Sequence, residues 1–133
     1  MGTTDAHVRE SLGKDFGLSS LQVEQTTIDK FVARHGCRPD LIKIDTEGNE
    51  LRVLKGARET VQSCRPLLIF ESWSGDRDDL FQMLEEVGYR IFPLPLDPHS
   101  PARVLEYRSF LEHPGRNFIA FAAEQVSNGG GLL

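Results

Sequence analysis

The chain has little of what usually gives a function away. Its two cysteines, Cys37 and Cys64, stand far apart, with no CxxC and no histidine pairing nearby. That spacing argues against a disulfide framework and a thiolate metal site, and favours free thiols in a reducing compartment. No apolar run is long enough to span a bilayer, and the opening MGTTDAHVRE lacks the hydrophobic stretch of a signal peptide. The cytoplasm is therefore the expected setting. Basic clusters are lacking too: 15 Lys and Arg stand against 20 Asp and Glu, for a net charge of −5. That balance argues against nucleic acid and against an anionic membrane surface as partners. There is no P-loop, no nucleophile elbow and no metal-ligand spacing, and His7, His35, His99 and His113 are scattered.

What is present reads as one α/β domain, since 133 residues suffice for a single core. Val8, Leu12 and Phe16 suggest a weak helix over residues 5–16. LQVEQTT, from Leu21, reads as a short strand. Thr27 then caps a helix carrying Ile28, Phe31 and Val32, which stops at Gly36. Leu41, Ile42 and Ile44 form an apolar run broken only by Lys43, the pattern of a strand covered on both faces. After Gly48 and Asn49 the period becomes helical for three to four turns, with Gly56 inside it permitting a close contact. Pro66 opens a second strand, LLIFE, ending at Glu71. This is a strand–helix–strand unit, so the two strands are expected to be parallel. A helix with Leu80, Phe81, Leu84 and Val87 on one stripe ends at Gly88. Strands at Tyr89–Leu94 and Asn117–Ala123 follow, separated by a loop holding Pro93, Pro95, Pro98 and Pro101. The glycine-rich tail is expected to be loose.

Chemistry gathers where the strands end. In open α/β sheets, ligands sit outside the carboxyl ends of the strands. Two such ends are acidic here: Asp45 with Glu47, and Glu71. Lys43 shares a sheet face with Asp45 and would offset the repulsion among the acids. Carboxylates so placed can bind a hydroxyl, act as a general base or coordinate a hard cation. They can equally serve structure, because negative charge at Glu47 and Glu50 stabilises a helix N-terminus. Trp73 has the same two readings, as a pocket floor or as packing at the rim.

LIKIDTEGNELRVLKGA, Leu41 to Ala57, resembles the signature segment of the FkbM family of methyltransferases. TTIDKF upstream, RPLLIFE, GYRIF and NFIAF downstream are similar to other segments of that family, so the resemblance runs over residues 20–123. It implies a Rossmann-like class I methyltransferase fold with a mostly parallel sheet, S-adenosylmethionine as cofactor, and methyl transfer to a hydroxyl oxygen of a sugar or polyketide-like acceptor. Carried onto this chain, it implies Asp45, Glu47 and Glu71 as catalytic residues, Asp45 and Gly48 at the cofactor, and Lys43, Glu50 and Trp73 on the substrate side. No glycine-rich turn after a strand precedes the motif, so the chain reads as the C-terminal half of such a fold, with residues 1–19 weakly ordered before it and 124–133 a tail. A half-fold leaves one side of the Leu41–Asp45 strand unpaired, and a homodimer or a complementing chain is expected along that edge. The alternative function is a non-catalytic binding or oligomerisation module on the same scaffold. A metal-dependent carboxylate enzyme is a third reading.

Overall fold

A computed structural model describes residues 21–73, 75–96, 99 and 102–126. The helix expected over residues 5–16 lies outside the described residues. The first ordered element is helix α1, Ile28–His35. Its start follows from Thr27, whose hydroxyl accepts a hydrogen bond from the Lys30 N–H at 3.2 Å, and its end from Gly36 in the left-handed region at φ 61°. The stretch before it is extended coil and not the strand its alternation suggests. Leu21 and Val23 are exposed, and no described strand pairs with them. Alternation alone does not make a strand when the partner ladder is missing.

Strand β1, Leu41–Ile44, leads into helix α2, Glu50–Lys55, and helix α3, Arg58–Cys64. The sequence period suggests one continuous helix there; the structure divides it at Gly56 and Ala57. The cause lies in α1. The Asp29 N–H donates to the Gly56 carbonyl at 2.9 Å. The Asp29 carboxylate takes the N–H of Glu59 at 3.2 Å and both the N–H and hydroxyl of Thr60, at 2.8 and 2.7 Å. Asp29 thus caps α3 from thirty residues away, where Ala57 has no side chain able to do so. Gly56 permits the expected close approach: a Cβ there would lie 3.1 Å from Cβ and Cγ2 of Thr27.

Strand β2, Leu67–Glu71, helix α4, Arg77–Glu86, strand β3, Tyr89–Pro93, a short helix α5, Tyr107–Leu111, and strand β4, Asn117–Ala122, complete the fold. Ala123–Gln125, at the start of the expected tail, form a 3-10 turn. The sheet order is β1-β2-β4-β3. The β1–β2 pair is parallel, as the strand–helix–strand unit requires. β4 enters between β2 and β3 and runs antiparallel to both. The expectation of a mostly parallel sheet is thus corrected to a mixed one, because the last strand returns through the middle of the sheet.

One face of the sheet carries the core. Ile44, Leu68, Phe70, Tyr89, Phe110 and Phe118 are buried there with Leu54 and Val61 of the helices. Each such side chain contributes about 1.5–3 kcal/mol relative to exposure. The other face of β1 is open, against the expectation of cover on both sides. Leu41 is 51% exposed, and β1 lies at the edge of the sheet formed by the described strands.

Candidate active site

Strands β1 and β2 end side by side. Ile44 is paired with Phe70, so Asp45 and Glu71 come next on neighbouring strands, roughly 4.8 Å apart along the ladder. Ile44 and Phe70 turn into the core. Alternation then places Lys43, Asp45 and Glu71 on the opposite face. Lys43 Nζ meets Asp45 Oδ2 at 3.0 Å, with the two side chains 64% and 52% exposed. Water screens a pair this open, and its stability value is about 0–1 kcal/mol. Its chemical effect is larger: Oδ2 is engaged, and Oδ1 is left without a hydrogen-bond partner among the described residues.

The loop after Asp45 makes a sharp reversal. Glu47 adopts φ 51° and Gly48 φ 101°, two successive positive values of which only the glycine's is free of steric cost. Glu50 holds the loop in this shape. Only 1% exposed, its carboxylate accepts the Thr46 N–H at 2.9 Å, the Thr46 hydroxyl at 3.1 Å and the Gly48 N–H at 3.0 Å. Burial pushes the Glu50 carboxyl up, but its own N–H, the Thr46 and Gly48 N–H groups and the Thr46 hydroxyl together bring it below the ordinary range. Expected on the substrate side, Glu50 therefore has its acceptor capacity turned into the loop. The Gly48 N–H is spent on Glu50 as well. What Gly48 offers a ligand is space, since a Cβ there would meet nothing within 4 Å. The Glu47 side chain is exposed beside it.

Glu71 is half-buried and lies opposite Asn117 of β4. Trp73, two residues on, is 44% exposed, and the Arg116 guanidinium carbon lies 3.8 Å from its ring centroid. One face of the indole is thereby held by a cation. Below it, the Ser72 N–H donates to the Arg116 carbonyl at 2.8 Å. Arg77, at the start of α4, is buried and gathers the carbonyls of Ser72, Phe110, Leu111, His113 and Gly115. Burial, and then the positive charge of Arg116, depress its pKa. Arg77 thus fixes the return loop before β4 against the end of β2.

The sequence reading found Lys43, Asp45, Glu47, Gly48, Glu71 and Trp73 at this edge, and missed Arg77, Arg116 and Asp29. Two signals pointed to the missed residues. A cation in the first turn of a helix, between Asp76 and Asp78, opposes the helix dipole and needs another reason to be there. A helix start at Arg58 with no capping side chain of its own needs a distant one.

On the other side of the loop, between it and the start of α1, lies a groove of about 680 Å³ bordered by Gln25, Thr27, Lys30, Thr46, Asn49 and Arg52. Among the described residues, no three of His, Cys, Asp and Glu come together as a metal-holding group. No described helix is long and apolar enough to cross a membrane.

A family model for the methyltransferase FkbM domain matches residues 1–91, from the N-terminus through α1, β1, the acid loop and β2 into β3. No curated protein and no solved structure matches the chain. The match takes in the residues before position 20, beyond the 20–123 range of the resemblance, and ends before β4. With well over half of its length covered and the acidic strand ends inside the match, the chain belongs to the FkbM methyltransferase domain family.

Proposed function

We propose that the chain serves S-adenosylmethionine-dependent methylation of a hydroxyl oxygen, with the acceptor held at the acidic ends of β1 and β2. The observation that carries this reading is the placing of Asp45 beside Glu71 on adjacent parallel strands, with Lys43 on one Asp45 oxygen and the other open. The residues suit the cofactor's charge. Asp45 and Glu71 place negative charge at the strand ends to face a sulfonium, Glu47 lies exposed on the loop beyond, and Gly48 leaves the backbone open to close approach. Asp45 and Gly48 would hold it, and it would supply an electrophilic methyl group.

The rest is the work of the chain's own groups. Asp45 Oδ1 accepts the hydroxyl proton of the acceptor, which raises electron density on the oxygen to be methylated. Lys43 anchors the carboxylate so that Oδ1 faces outward. Glu71 orients the same hydroxyl from the next strand. Trp73, braced by Arg116, offers an apolar face for a sugar or polyketide-like ring. Orientation is the main contribution, since correct placement alone removes several kcal/mol of barrier. With Cys37 and Cys64 both free, the proposed setting is the reducing cytoplasm.

The first test is a calorimetric titration of S-adenosylmethionine into the purified chain. Saturable binding supports the proposal, and Asp45→Asn should then lower kcat in an acceptor screen by about 10²–10⁴-fold, the usual worth of a general base. Absence of binding favours a second reading, a scaffold that binds or oligomerises without catalysis. The side of β1 that no described strand covers supports that alternative.

A further inference from the structure

The groove between α1 and the acid loop has a chemistry of its own. None of its described lining residues is Asp or Glu, in a chain whose net charge is −5. Two are cations: Lys30 reaches it from α1 and Arg52 from α2. The Lys30 ammonium holds no hydrogen bond or ion pair among the described residues. Among the described residues, the Arg52 guanidinium makes only a long contact, 3.4 Å, to the Asn49 side-chain oxygen. Thr27, Thr46, Gln25 and Asn49 add hydroxyl and amide groups. A volume near 680 Å³ lies in the range of small-molecule sites. Lys30 also borders a neighbouring recess of about 280 Å³ that contributes Arg34 and one carboxylate, Glu24, so cations stay in excess among the described residues lining both.

We infer that this groove binds the phosphate group of a small hydroxyl-bearing acceptor, such as a phosphorylated sugar. Arg52 supplies a planar fork and Lys30 a point charge, the pairing that suits a phosphate oxyanion. The threonine hydroxyls and side-chain amides complete its hydrogen bonds. Thr46 joins the groove to the strand end, because it lines the one and follows Asp45 in the other. That the ligand is the methyl acceptor rests on the reading above; the phosphate site does not.

The test is a titration of glucose 6-phosphate into the full chain at constant ionic strength, without S-adenosylmethionine, followed by NMR of the backbone amides. Saturable shifts at Thr27, Thr46 and Asn49 are expected. Lys30→Gln and Arg52→Gln should each weaken binding about tenfold, the loss of one charge-assisted contact. Both positions are exposed, and an unchanged thermal midpoint will confirm that the variants are folded. Equal shifts with neutral glucose, no shifts at millimolar ligand, or full binding by the double variant would each overturn the inference. So would binding to anionic phospholipid vesicles with none to the soluble sugar phosphate. Because cofactor is absent, failure here and failure of the S-adenosylmethionine titration are read separately.

Discussion

Glu50 shows how one acid in an acidic cluster can serve structure while its neighbours remain available for chemistry. Its carboxylate satisfies the N–H groups of Thr46 and Gly48 within the reversal that follows Asp45. Removing it leaves those donors unpaired and releases a loop with two positive φ angles. Glu50→Ala should lose about 1–3 kcal/mol, read as a drop of several degrees in Tm. Glu50→Gln should recover part of that loss, because its amide oxygen still accepts. Acid should act on the same bonds. Glu50 lies below its ordinary pKa, and the Arg65 guanidinium holds Glu124 down to about 2. Both groups have folded-state values under the unfolded ones, so their stabilisation is complete above about pH 4.5 and is lost as pH falls toward 2. Glu124 is largely exposed, so added salt should flatten its share. A denaturation series from pH 7 to pH 2 at two salt concentrations checks the sign and the screening.

At the scale of elements, the contact between α1 and the α2–α3 break fixes the start of α3. Gly56→Ala improves intrinsic helix propensity, yet its new methyl would meet Thr27 at 3.1 Å. Overpacking of that kind costs about 1–3 kcal/mol, so a net loss of stability is expected. Thr27→Ser keeps the capping hydroxyl and removes Cγ2, so the double variant should regain part of it; chemical denaturation of the four proteins measures the coupling. Arg77→Met should be more damaging, by roughly 3 kcal/mol or more, since a charged donor leaves five carbonyls at once. Much of this level was legible beforehand. Thr27 and Gly36 marked both ends of α1, Gly56 announced a close contact, and the Lys43–Asp45 spacing foretold their ion pair. What was not legible was long-range. The Asp29 cap and all but the Ser72 bond of the Arg77 knot join residues thirty or more positions apart, and periodicity carries no record of such pairs. The order of the strands escaped for the same reason: nothing in Asn117–Ala122 says which neighbours it will take.

For the whole molecule, the decisive feature is the free side of β1. Leu41 is half-exposed on an edge whose far side has no described strand. We propose that a second copy or a complementing chain pairs there, and sedimentation velocity at micromolar concentration decides it. An assembly larger than one chain is expected; a stable monomer across the concentration range would remove the proposal. Lys43 tempers how indiscriminate that edge can be, since a charge on an edge strand discourages pairing with strands that do not offer an acid opposite it. Lys43→Val should therefore increase aggregation in light scattering, even where specific assembly is unchanged.

The position of β4 sets a rule for how the chain can be made. The strand that joins β2 to β3 is the last of the four described strands to be synthesised, so this sheet cannot be closed by working forward from β1. Until Asn117–Ala122 has emerged, β2 and β3 each wait with an unfilled side. A nascent chain stalled before Arg116 would therefore leave the sides of β2 and β3 that β4 fills unpaired, two adhesive edges at once.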